Sequence, residues 1–474
     1  MKTKRYVRLV LSLAMIAATA TIVAADAPNY GVRAVRITSL CTAGFPGTPG
    51  LPEVPPPATV ADPNCPTVPT LAASPSGRWS VDISWFDPST QKFYMADRNN
   101  FSVDIVDTNS DTIIGAASGF VGIQPGSNTS GPNGVLTTSS PRQLWAGDGD
   151  GTVKIYPLNA NGVPTTTVPT VVNAGGVKRA DEMAFDPDDH VVLVAWDDDA
   201  DLFVAFISVS STPTVLGKIQ IPEALGCGIE QPVYNHSTNR FYLAIPCTSA
   251  INAANHNTSV HASGEIAVIN PHTMLIENVL PVDGTNCFPH GLTLGPRQNL
   301  LLGCSGDAPA GTQMKSIIMK ATTGAILQTF TQLGGSDEVW YNIGDNHYYL
   351  AMSSWTTTGL TGGPAKPSLG IINAGTADTG PGAPTFVQNI LTTRTSHSVA
   401  AVYAQQCDNG DDNGNENSNE HSKSSHRADN GNHFGEDCRI VRNRVYVPLT
   451  TTNAPFTATN PPESGGFGVY GQIP

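Results

Sequence analysis

Positive charge is scarce in this 474-residue chain, where 25 Lys and Arg stand against 39 Asp and Glu and the formal net charge is -14. Four of those basic residues, Lys2, Lys4, Arg5 and Arg8, fall within residues 1–25, which contain no acid, so removing that segment takes the balance to -18. Such a balance disfavours nucleic acid and anionic lipid, because both are polyanions. Charge of either sign is sparse, at 14% of residues. Beyond the leader no apolar run approaches the roughly 18 residues a membrane helix needs, so no membrane span is expected in the mature chain. A Gly-x-Ser-x-Gly elbow, a phosphate-binding loop and a paired Cys-x-x-Cys site are also missing, which removes the common short-motif chemistries.

What is present is export-like at the start and strand-like thereafter. Residues 1–25 combine the four basic residues with the apolar run LVLSLAMIAATATIVA and a small-residue cleavage site at Val23-Ala24-Ala25, the pattern of a signal peptide. A secreted or periplasmic protein follows. The mature chain is rich in Gly (46) and Pro (37), with Val and Ile clustered in short runs, the composition of many strands and turns.

One unit recurs. RADEMAFDPDDHVVLVAWDDDAD, at residues 179–201, holds an acidic pair, a strand, a turn at Asp186-Pro187 and a second apolar strand. Equivalent stretches follow Asp82, Asn133, Asp181, Glu230, His290, Asp337 and His397, at spacings of 51, 48, 49, 60, 47 and 60 residues. A period near 50 is the size of a propeller blade. Third strands follow in each unit, from SVDIVDT at Ser102 to GFGVYGQ at Gly466. The expectation is an all-β fold: one seven-bladed β-propeller of four-stranded antiparallel blades across residues 26–474. The seventh unit stops after three strands, so residues 32–40 are expected to supply the fourth and close the ring, removing exposed edges. Residues 42–70 are too proline-rich to pair and read as a semi-rigid loop over the mouth. Residues 408–437, nearly all Asp, Asn, Gly, Glu, Ser and His, read as a disordered insertion.

Eight cysteines in an exported chain imply disulfides. The repeat register pairs Cys227 with Cys247 and Cys287 with Cys304, while Cys41 with Cys65 and Cys407 with Cys438 would close the two irregular segments. Long two-to-three connections fall on the face where the inner strands begin, which is where a rigid scaffold shapes a site.

Repeats such as KFYMADRNNFSVDIVDTNSD, DEMAFDPDDHVVLVA, and SHSVAAV with RVYVPL resemble the bacterial propellers of the Tyr-Val-Thr-Asn-repeat (YncE-like) group, which overlaps lactonase-like and strictosidine-synthase-like propellers. The tetrapeptide is degenerate here, as Tyr94-Met95-Ala96-Asp97 and Tyr446-Val447-Pro448-Leu449. Calcium-dependent lactonase propellers carry acidic and Asn side chains at the axial mouth; His290 and His397 stand at two equivalent positions of this chain.

The seven repeat-leading residues are therefore the candidate site: Asp82, Asn133, Asp181, Glu230, His290, Asp337 and His397 should converge on one channel mouth. Carboxylates crowded there repel unless a cation binds, protons are taken up or water separates them. Two imidazoles with carboxylates suit zinc or manganese, and the oxygens alone suit calcium. A water-filled polar channel whose acids bond only to neighbouring blades is the plain alternative. Strand alternation is expected to turn Glu182 and Glu338 away from the axis. Two functions follow: a metal-dependent hydrolase of lactonase type with Glu230 as base, acting on a small-molecule substrate, or a monomeric scaffold that binds a ligand or an envelope protein.

Overall fold

The computed structural model describes residues 29–37, 80–124, 126–198, 201–249, 262–282, 284–393, 396–407, 438–449 and 466–473. Residues 1–25, 42–70 and 408–437, expected as a signal peptide, a loop and an insertion, lie outside them. Among the described residues, 28 strands (β1 to β28 in chain order) form seven four-stranded antiparallel sheets arranged as a seven-bladed propeller. The innermost strands are β2 (Val81–Asp87), β6 (Val135–Ser139), β10 (Ala180–Asp186), β14 (Pro232–Asn235), β18 (Pro289–Gly295), β22 (Val339–Asn342) and β26 (Ala400–Cys407).

Local chemistry sets the first hairpin of most blades. Asp186 Oδ1 accepts the backbone N–H groups of Asp188 (2.9 Å) and Asp189 (3.1 Å), and His190 takes a left-handed φ of 55° to start the return strand. Asp87, Asn235 and Asn342 make the same side-chain turn, followed by left-handed Gln91, Asn239 and Asn346. Short polar side chains offering an acceptor two residues back are what such turns require.

Second strands such as Val191–Trp196 and Asn299–Cys304 are buried along their whole length, because each blade is covered by a neighbour on both faces. Fourth strands such as Val215–Gln220 are half exposed. Seven apolar clusters occupy the seven junctions between adjacent blades, the junction of blade seven with blade one included, where Tyr446 and Phe467 meet Phe93. The core is thus a ring of blade interfaces around a channel.

The seventh sheet runs β26, β27 (Cys438–Leu449), β28 (Gly466–Ile473), β1 (Asn29–Ile37), with Ile37 opposite Gly466. The N-terminal strand begins three residues earlier than the sequence pattern suggests. Disulfides join Cys227 to Cys247 and Cys287 to Cys304, each tying the start of an inner strand to the return of the next. Loops of that length add roughly 3 kcal/mol each. Cys407 and Cys438 are register partners of β26 and β27, whereas Cys41 and Cys65 fall outside the described residues. Among the described residues no helix is long and apolar enough to cross a membrane.

Candidate functional site at the channel mouth

All seven repeat-leading residues stand at or just before the start of an inner strand, and a repeated irregularity there decides what enters the channel. Gly147 accepts from Asn133 and donates to Gly134; Ala244 treats Glu230 and Gln231 in the same way, and Ala351 treats Asp337 and Glu338 likewise. Register shifts mark the same step in β2, β10 and β18. In six blades, therefore, two successive residues oppose one on the second strand, which is a β-bulge that re-aims side chains. Strict alternation fails at this point. Glu182 and Glu338 are not turned away: both line the axial channel and are hydrogen-bonded to each other across it. At the equivalent step stand Gly134 and Gly291, where a Cβ would lie 1.9 and 2.1 Å from the Asp181 and Asp337 carbonyl oxygens, so only glycine admits that approach of the next blade.

The mouth divides into two halves. In blades one to three, acids are neutralised by arginine. Arg98 donates to Asp82 and, at 2.6 Å, to Asn133 Oδ1, while Asn133 Nδ2 donates to the Ala180 carbonyl at 3.2 Å. Arg179 is 3.0 Å from Asp181 and also pairs with Asp197. Burial raises Asp82, but Arg98 and the His397 hydrogen bond outweigh it and hold the carboxyl below its ordinary value. Asp181 differs: burial, with Asp82 and Asp197 nearby, pushes it up to about 7 despite Arg179, which it shares with Asp197.

In blades four to six no arginine among the described residues forms an ion pair with an anchor, although Arg179 acts on Glu230 from a distance. His290 Nδ1 lies 3.4 Å from Glu230 Oε1 and 3.3 Å from Asp337 Oδ1, and the three donor atoms all fall within 4.8 Å of one another. Its Nε2 lies 3.0 Å from Asp307 Oδ2. Burial works against a charged imidazole, yet Glu230, Asp307 and Asp337 hold His290 well above its ordinary value. Burial pushes Glu230 upward, with Asp197 and Asp337 adding to it, although His290 opposes the shift.

His397 belongs to neither arrangement alone. Its Nε2 is 2.7 Å from Asp82 Oδ1, and that bond raises it to about 9 against the effect of burial. Asp337, set between the two imidazoles, is held below its ordinary value by both, against burial.

Of the seven expected ligands, the fold thus gathers Glu230, His290 and Asp337 around one point and commits Asp82, Asn133 and Asp181 to arginines. Arg98, Arg179 and Asp307 were not singled out in the sequence. Arg98 and Arg179 follow a second strand and precede an anchor, respectively, and nothing local marks either as axial. Asp307 comes from the two-to-three connection of blade five, which is braced by backbone bonds between Gly311, Thr312 and Thr361. Acids ending second strands are paired within the chain: Asp148 with Lys154, Asp197 with Arg179 and Asp198 with Lys178, all three acids buried. His236 and His272 sit at turns beside Asp188 and Asp189, and His347 packs against the Tyr30 ring. His256 and His261 lie outside the described residues.

Chemically, the open half offers one imidazole nitrogen and two carboxylate oxygens. No protein-family model matches the sequence, nor does any curated protein. Solved structures similar to this chain include a chain of the mitotic checkpoint complex (12% identity, TM-score 0.46, covering 76% of this chain and 92% of that one) and the Neurospora crassa Pan2 WD40 domain (10%, 0.44, 68% and 82%). A third is U3-55K (10%, 0.47, 68% and 84%). Likeness at that level carries no information about chemistry.

Proposed function

We propose that this chain is an exported, metal-dependent hydrolase of lactonase type, with a divalent cation held by Glu230, His290 and Asp337. The observation that supports it is the spacing of 3.4 and 3.3 Å from His290 Nδ1 to two carboxylate oxygens. Those separations are long for hydrogen bonds, which centre near 2.9 Å. They match the edge of a tetrahedral first shell, about 3.4 Å for ligand bonds near 2.1 Å. A zinc-like or manganese-like ion suits that mixed set better than calcium, which prefers oxygen alone. When bound, such an ion polarises a carbonyl or activates water.

The chain's own residues supply the rest. Asp307 meets His290 Nε2 as an ion-pair contact at 3.0 Å, and Nδ1 faces the centre. Burial, with Asp197 and Asp337 beside it, raises the Glu230 carboxyl against the pull of His290; one of its oxygens would meet the cation and the other would serve as the base. His397, Asp82, Asn133 and Asp181 form the charged wall rather than the first shell.

Export rests on the leader at residues 1–25 and fits the two disulfides, which belong to an oxidising compartment. Ring closure is assigned to β1 through its pairing with β28; a chain starting at residue 80 that folds as stably as the longer one would overturn that assignment.

The test is elemental analysis of purified mature protein beside His290→Ala, with hydrolysis of a panel of lactones and simple esters followed before and after chelation. Bound metal lost on substitution, with chelator-sensitive turnover, supports the reading. Metal-free protein whose melting temperature ignores chelators removes it and leaves a binding scaffold.

A further inference from the structure

Directly after Glu230 in the chain comes Gln231, the one amide among the seven residues that follow a repeat-leading position. Its side chain spans three blades on the channel wall. Gln231 Oε1 accepts the backbone N–H groups of Leu292 (2.6 Å) in blade five and Val339 (3.3 Å) in blade six, and its Nε2 donates to the Val339 carbonyl at 3.3 Å. Its own backbone N–H donates to the His290 carbonyl at 3.2 Å. An amide oxygen has two lone pairs and its nitrogen two hydrogens, so one glutamine can serve all three side-chain bonds at once.

The three blades held in this way are those that carry Glu230, His290 and Asp337. Gln231 adjoins the first, Leu292 lies two residues after the second and Val339 two residues after the third. Glycine at position 291 allows the convergence. A Cβ there would lie 2.1 Å from the Asp337 carbonyl oxygen and 2.8 Å from Val339 Cγ1, so blade five approaches blade six closely enough for one side chain to reach both. The equivalent step in blade seven is tied differently: Ser398 Oγ accepts the Ser84 backbone N–H at 2.8 Å, which joins blade seven to blade one and leaves blades four to six out.

We propose that Gln231 is a positioning residue whose amide fixes the separations among Glu230, His290 and Asp337, an assignment that rests on the reading of the mouth as a cation site. Ligand distances around a bound ion tolerate errors of only about 0.2 Å. Apolar packing between blades is non-directional, whereas a hydrogen bond prefers both a distance and an angle. Gln231 supplies three such bonds, all ending within two residues of His290 or Asp337. Each ends on backbone, so the residue acts on the site through the chain and not as a ligand. A ligand set drawn from three separate blades needs support of this kind if it is to be held in place before the ion arrives.

The experiment measures Zn²⁺ affinity of purified mature protein by competition with a chromophoric chelator, together with the visible absorption of the Co²⁺-loaded form. Gln231→Met keeps the length of the side chain and removes its hydrogen bonds; Gln231→Asn keeps the amide but leaves it one methylene short of its partners. Each should weaken Zn²⁺ binding by about 10–100-fold and shift the Co²⁺ ligand-field bands while a folded circular dichroism spectrum is retained; if one does not fold, the other decides. Ser398→Ala removes an inter-blade bond at the equivalent step and should leave the affinity within about threefold and the bands unchanged. A folded Gln231 variant with native affinity or native bands overturns the assignment, as does an equal loss in Ser398→Ala, which would make the effect a general loosening of the ring. Native protein that takes up neither ion overturns the reading of the mouth itself, an outcome seen before any variant is compared.

Discussion

The two halves of the channel mouth are built from the same repeat position and end in opposite electrostatic states. In blades one to three the anchors Asp82, Asn133 and Asp181 lie against Arg98 and Arg179, so the negative charge is answered from within the chain. In blades four to six the anchors Glu230, His290 and Asp337 face one another with no arginine among them. Pseudo-symmetry thus brings equivalent side chains to one axis without giving them equivalent roles. An acid at the mouth is a candidate ligand only where the fold supplies no cation of its own, because a buried carboxylate already paired gains little from a second partner.

Breaking the neutralised half should have the largest effect. Arg98→Ala strands the buried Asp82 carboxylate and the Asn133 amide oxygen, and a loss of about 3–5 kcal/mol of stability is expected, read as a lower melting temperature with unchanged metal content. If metal is lost in step with stability, the two halves are one site. His290→Ala acts on the other half. It should lower metal affinity more than about 100-fold in a competitive chelator titration and cost much less stability, since it removes a ligand from between two carboxylates rather than a counter-ion from a buried pair.

Asp307→Asn sharpens the contrast at smaller amplitude. Its carboxylate meets His290 from an exposed loop position, with the side chain 65% accessible, and the change should reduce metal affinity by about 10–100-fold while the Asp82 pair is untouched. An unchanged affinity would mean that Asp307 does not orient the ring. The smallest effect belongs to the pair just below the mouth. Glu338 is an acid whose folded value, about 8, lies above its ordinary 4.5, so it favours the native state fully below 4.5 and progressively less as pH rises towards 8. Glu338→Gln removes that loss. Its melting temperature should therefore match the native chain in acid and exceed it by a growing margin as pH rises towards 8. A gap that narrows with rising pH would contradict the raised value.

Much of this was legible in the chain. The period near 50, the turn at Asp186-Pro187, and the cysteine pairs 227 with 247 and 287 with 304 all follow from residue type at fixed offsets within one unit. What misled was a rule applied one residue too far. Alternation along a strand assigns Glu182 and Glu338 to the outer side, and a bulge at the first step returns them to the axis. Such a bulge leaves no composition signal except the glycines that replace those acids at Gly134 and Gly291.

By itself, the amino-acid order determined how many blades form and which residue leads each one, because strand period, turn chemistry and loop closure act over a few tens of residues. Only the tertiary structure decided which leading acids meet a cation. Arg98 approaches Asn133 from the preceding blade, and Arg179 serves both Asp181 in its own strand and Asp197 in the next. Apart from Arg179 with Asp181, charge compensation depends on distances of a few ångströms between side chains 16 to 35 residues apart, and no local pattern encodes them.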